Sequence, residues 1–163
     1  MIALVTDRTQ ADVNRLTELT RKALTGTGET FADRLTDAEQ AEWLALNNKG
    51  AYNASDLNRV SAACATLYDV MIRAGYEILN YVPPKGGWMD TDIPTKDEMQ
   101  RYINAVATIK QAANGLEYIP DTMEGLDWYN ANAIERLLKE VDDFIWYVQI
   151  GYMYSGEVIS GEF

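Results

Sequence analysis

Five segments of this 163-residue chain open in the same way: a Thr or Asn, then an acid three residues later, at the head of an apolar run. This capping box closes two backbone donors reciprocally, because the cap side chain accepts from the third helical amide while the acid accepts from the cap's own amide. Each cap is worth about 1 kcal/mol. Few local patterns commit a chain to helix so firmly.

Thr9 and Asp12 open a stripe of Val13, Leu16, Leu19 and Ala23 that should stop at Gly26-Thr27-Gly28. Thr36 and Glu39 open a shorter helix carrying Trp43, Leu44 and Leu46, which closes near Asn47-Asn48-Lys49-Gly50. Asn53 and Asp56 lead into Leu57, Val60, Cys64, Leu67 and Met71, with Gly75 as the cap at the far end. Thr95 and Glu98 lead into Met99, Ile103, Val106 and Ile109, ending at Asn114-Gly115. Asn132 and Glu135 then open a long helix with Ile134, Leu137, Leu138, Val141, Ile145, Val148 and Tyr152 inward and a stop at Ser155-Gly156. The spacing of three and four puts each set on one face. The expected fold is mainly α, a bundle of about five helices forming a single domain over residues 1–163.

Two stretches read as extended. Tyr76 to Val82 is rich in β-formers and stops at Pro83-Pro84, and the tail from Glu157 to Phe163 has strand character. They suggest a short β-hairpin or a C-terminal strand beside the bundle, with residues 155–163 as an extended tail. Residues 85–92 and 119–125 are loops.

Composition excludes whole classes of chemistry. There is no histidine, so histidine-based triads, Cys-His pairs and histidine-containing zinc sites are out. The single cysteine, Cys64, lies on an inward stripe and reads as a buried thiol. The paired acids Asp90/Asp92, Asp97/Glu98 and Asp142/Asp143 suit helix starts and solvated faces better than general acid–base work. Asp90-Thr91-Asp92 fails as a calcium loop, since Thr95 stands where the glycine belongs and Arg101 where the bidentate acid belongs. Gly86-Gly87 has no lysine-threonine pair after it, so it is not a phosphate loop, and Asn53-Ala54-Ser55 reads as a helix cap. No enzyme activity, cofactor or metal is expected. A net charge of −11 speaks against a phosphate-binding surface. The Met1 segment has no secretory pattern and the longest apolar run, Phe144 to Tyr154, is broken by Gln149. The expectation is a soluble acidic protein from a reducing compartment, bound to neither nucleic acid nor membrane.

Charge is uneven. Residues 1–116 carry 15 acids and 12 bases, whereas residues 117–163 carry 10 acids and 2 bases and are also rich in aromatics. From Phe144 onward the last helix is apolar nearly all round, with Trp146, Ile150 and Met153 as a second stripe beside the inward one. Such a helix must be covered on every side. Either the tail or the 76–92 loop covers it internally, or it is a contact surface. The contact candidates are Trp88, Trp146, Ile150, Tyr152, Met153, Tyr154, Val158 and Phe163, with an acidic rim that would steer towards a basic partner.

The string Lys49-Gly-Ala-Tyr-Asn-Ala-Ser-Asp-Leu-Asn-Arg-Val60 resembles one in small structural proteins from the tail modules of phages and prophages of Gram-positive bacteria. The likeness extends to Thr6–Val13, Ala38–Leu44, Trp88–Thr95, Met123–Leu126, Asn132–Glu135 and Tyr154–Glu157. Similar proteins tend to begin with such a TDRTQADV segment and finish near YSGE. The Gly-rich stretch Gly26 to Phe31 departs from that pattern. The resemblance implies a virion component of the tail, baseplate or fibre-attachment region, made in the host cytoplasm. It would assemble as a homo-oligomer or with other virion proteins, and no catalytic residues come with it. A rival reading is an acidic phage-encoded inhibitor that mimics nucleic acid and blocks a host DNA-binding protein, although aromatic density is a poor match to a polar mimic.

Overall fold

A computed structural model describes residues 2–30, 32–115 and 118–159. It contains helices α1 (Gln10–Thr25), α2 (Asp37–Gly50), α3 (Ala54–Arg73), α4 (Lys96–Ala113) and α5 (Trp128–Ile159), with a single turn of 3₁₀ helix at Ala32–Arg34. No strand occurs among the described residues. The mainly helical architecture expected from the capping pattern is the one observed.

Four of the five boxes close as the sequence spells them. Thr9, Thr36, Asn53 and Thr95 each cap the amide of the acid three residues on, and each acid returns the bond to the cap amide. The ends are equally local. After α3, Gly75 takes a positive φ of 86°, so that its own amide reaches Ile72 O and Tyr76 N reaches Met71 O. After α4, Asn114 (φ 53°) plays the same part, with Gly115 N donating to Lys110 O.

α1 and α2 pack as a hairpin on a small core of Leu19, Ala23 and Leu35, flanked by Trp43 and Leu46. Arg15 grips Glu42 through two hydrogen bonds across this pair. The helices come very close at Gly50, where an added Cβ would lie 2.6 Å from Leu16 Cβ and 2.7 Å from Asp12 O. The larger core is the meeting of α3, α4 and α5, built from Val60, Cys64, Leu67, Met71, Tyr102, Val106, Ile109, Ile134, Leu137, Leu138 and Val141. All but Tyr102 belong to the apolar stripes read from the spacing.

Three expectations need correction. The Asn132…Glu135 pair is not a helix start, because α5 begins a turn earlier at Trp128, where Asp127 Oδ1 accepts from Asn130 N at 2.7 Å. Residues 76–82 form no strand: a turn at Leu79 and Asn80 (φ 60°) breaks the segment, and Tyr81 stacks on Tyr68 at 4.3 Å. The tail is not extended over 155–159, since α5 continues through Ser155 and Gly156 to Ile159. A helix satisfies its own backbone, whereas a lone strand has no partner here to bond with. Residues 160–163, including Phe163, lie outside the described residues.

Candidate functional site

Two arrangements stand out beyond ordinary packing, one buried and one exposed. The buried one is a quartet of charges. Arg8 is 2% exposed, and Asp56 and Glu135 are fully buried. Arg8 Nη2 donates to Asp56 Oδ1 at 2.8 Å and to Glu135 Oε1 at 2.6 Å. Arg59 reaches both Glu135 oxygens, at 2.9 and 2.7 Å, and also donates to Asp56. The second Glu135 oxygen takes Val5 N at 2.6 Å as well.

This quartet fastens an extended strap, residues 2–8, along α5. Ile2 N donates to Asp142, Arg8 N donates to Asn132 Oδ1, and Asn132 Nδ2 donates back to Arg8 O at 2.8 Å. Beside it the phenols of Tyr52 and Tyr102 hydrogen-bond to each other. Burial pushes both phenols above the ordinary tyrosine value. Two guanidiniums against two carboxylates leave no net charge, and the oxygens of Glu135 are filled by donors. Such a cluster, its two carboxylates neutralised by two guanidiniums, orders the chain. Among the described residues no group of three or more Cys, Asp or Glu is placed to hold a metal.

The exposed arrangement is the second half of α5. At 32 residues this helix runs about 48 Å. Its residues are buried at intervals up to Ile145, but none from Trp146 to Gly151 is. Trp146 is 55% exposed, Tyr147 68% and Phe144 45%. Trp146 and Tyr147 meet edge to face with centroids 5.4 Å apart, and an added Cβ at Gly151 would meet nothing within 4 Å. Ile150 is half-buried. The helix therefore leaves the core with the rings of Phe144, Trp146 and Tyr147 uncovered, and the 76–92 loop packs on α3 instead.

Trp88 belongs to that loop and is not part of the surface. It is only 5% exposed and sits in the main core. Asn58 holds its backbone on both sides, Oδ1 accepting from Trp88 N at 2.7 Å and Nδ2 donating to Trp88 O at 2.8 Å. Its indole N–H is taken by Lys85 O, and Lys85 Nζ lies 3.9 Å over the ring. Of the other contact candidates, Trp146 and Ile150 lie on the uncovered helix. Tyr152, Met153, Tyr154 and Val158 fall on its continuing backbone.

No family model, no curated protein and no solved structure matches the chain. No helix among the described residues is long and apolar enough to cross a membrane.

The polar side of the exposed segment was not legible as a site. Lys139 bonds Asp143 one turn along, and that carboxylate holds the ammonium above its usual range. Glu140 is exposed and lines a cavity of about 290 Å³ with Ala113, Asn114, Gly115, Val141 and Phe144. This cavity joins the end of α4 to the first exposed ring of α5, a juxtaposition that no linear spacing announces.

Proposed function

We propose that the chain is a structural component of a phage particle, in the tail, baseplate or fibre-attachment region. It acts by protein–protein contact and not as an enzyme. The observation that carries this reading is the uncovered aromatic end of α5, where Phe144, Trp146 and Tyr147 stand in solvent. Exposed tryptophan and tyrosine on a rigid helix are the composition of contact cores. The resemblance of the Lys49–Val60 string and its companions to phage tail-module proteins supplies the setting. The chain is made in the host cytoplasm and ends in the virion, present in several copies beside other virion proteins.

The test is to induce particles from the strain that encodes the chain, purify them and measure their protein content by mass spectrometry. The chain should copurify with intact particles. A Trp146→Glu/Tyr147→Glu variant should be made in equal amount yet be missing from them. Recovery of the wild-type chain only in the particle-free fraction would overturn the reading, and inhibition of a host DNA-binding enzyme by that fraction would favour the acidic-mimic alternative.

A further inference from the structure

Resting on that reading of the α5 surface, we infer that its partner presents an arginine or lysine beside an apolar residue, and that the cation enters the cavity between the end of α4 and Glu140. Three features meet there. The cavity, about 290 Å³, is lined by Ala113, Asn114 and Gly115 of the α4 terminus on one side and by Glu140, Val141 and Phe144 of α5 on the other. At about 30 Å³ per water this is roughly ten water volumes, room for one long side chain.

The α4 end carries the negative pole of the helix, and a cation there is favoured by its dipole. Glu140 adds a full negative charge, and it has no ion-pair or hydrogen-bond partner among the described residues. The base of the last α4 turn, Lys110, faces a different cavity with Ile103, Tyr118 and Asp121. Lys139 is occupied by Asp143. Phe144 closes the side of the cavity and offers a ring face to a guanidinium. Tyr147, 68% exposed and three residues on from Phe144 on the same helix face, is an apolar landing for the residue next to the cation.

Charge also selects the kind of partner. The chain carries −11 overall, and residues 117–163 hold 10 acids against 2 bases. A second copy laid on this face would bring Glu140 against another acidic surface. A basic segment of a different protein meets the opposite sign and is drawn in from a distance.

The experiment uses the full chain, labelled for amide and indole NMR, titrated with two capped peptides, acetyl-Leu-Arg-Leu-amide and acetyl-Leu-citrulline-Leu-amide. Citrulline has the shape of arginine without its charge. The arginine peptide should shift the amides of Asn114, Gly115, Glu140 and Tyr147, and bind about threefold to fivefold tighter than the citrulline peptide, the worth of one exposed charge pair. Glu140→Gln, at an exposed position, should bring the two peptides level. Equal affinities in the wild-type chain, or shifts that miss Asn114 and Glu140, overturn the cation pocket. So does a concentration-dependent dimer that buries Trp146 and excludes both peptides, which would make a second copy the occupant. The peptide result stands apart from particle assembly. Copurification with particles but no discrimination between peptides sinks only the pocket, whereas discrimination by a chain absent from particles sinks only the particle role.

Discussion

Glu135→Gln is the sharpest test of how this chain is held together. The substitution keeps the size of the side chain and removes one charge from a fully buried position. Glu135 is fully buried and accepts four hydrogen bonds, from Arg8, Val5 and both arms of Arg59. A glutamine offers one acceptor oxygen and turns an NH₂ group towards donors that have nothing to give it. Two guanidiniums are then left facing Asp56 alone. Breaking a buried pair from one side costs about 3–5 kcal/mol, because the surviving charge stays buried. For a chain of this length that corresponds to a fall in melting midpoint of roughly 6–20 °C. The assay is urea unfolding followed by far-ultraviolet circular dichroism, with hydrogen exchange at Val5 and Arg8 as the local readout. Both amides donate to α5 side chains, Val5 to Glu135 and Arg8 to Asn132, so the strap should lose protection before the α3–α5 core does. The exposed pair is the control: Asp143→Asn should leave the midpoint where it is. Unfolding of Glu135→Gln within about 0.5 kcal/mol of wild type would refute the buried quartet as the fastening of the strap.

Other outcomes follow from single features. Gly50→Ala should destabilise the chain by about 1–3 kcal/mol by overpacking, since the new methyl group would meet Leu16 Cβ at 2.6 Å and Asp12 O at 2.7 Å; thermal melts check this, and an unchanged midpoint would mean that the hairpin opens freely. Lys22 and the Thr36 cap hold the Glu39 carboxyl down from 4.5 to about 2. The depressed value means that its contribution is complete above about pH 4.5 and lost on acidification towards 2, so the difference in melting midpoint between wild type and Glu39→Gln should close over that interval. Burial pushes the Cys64 thiol up to about 12, so a thiol reagent at neutral pH should react only after denaturation; rapid labelling of the native chain would contradict the core.

The parts of the fold that were legible are those with local causes. Thr9, Thr36, Asn53 and Thr95 act on amides two or three residues away, so their meaning does not depend on the rest of the chain. Asn132 and Glu135 carry the same spelling with a different use: Asn132 is spent on Arg8, and Glu135 on Val5, Arg8 and Arg59, all far back in the chain. A hint was present, because Ala131, Ala133, Ile134, Leu137 and Leu138 are all apolar and all buried, which is the pattern of a mid-helix segment enclosed on several sides. Arg8, set in Thr6-Asp7-Arg8-Thr9, looks like any solvated arginine, and its burial is decided by α3 and α5 together. Trp88 was ambiguous for the same reason: a loop tryptophan reads alike whether a distant asparagine such as Asn58 claims its backbone or not. The exposed end of α5 was visible as an apolar helix with too few inward partners, but the cavity beside Glu140 required the end of α4 to be put next to it.

The strap imposes an order of events on a growing chain. α1 and α2 find each other through contacts a few tens of residues apart, and can pair while the rest is still being made. Residues 2–8 cannot. Their partners are Asn132, Glu135 and Asp142, more than 120 positions later, so a segment made well before α5 has to wait for α5 to be seated. Until α5 arrives, Arg8 has no Glu135 for its guanidinium and no Asn132 for its backbone. Closure of the strap thus reports that α5 is in place, since a chain truncated before α5 can form the α1–α2 hairpin yet cannot fasten residues 2–8.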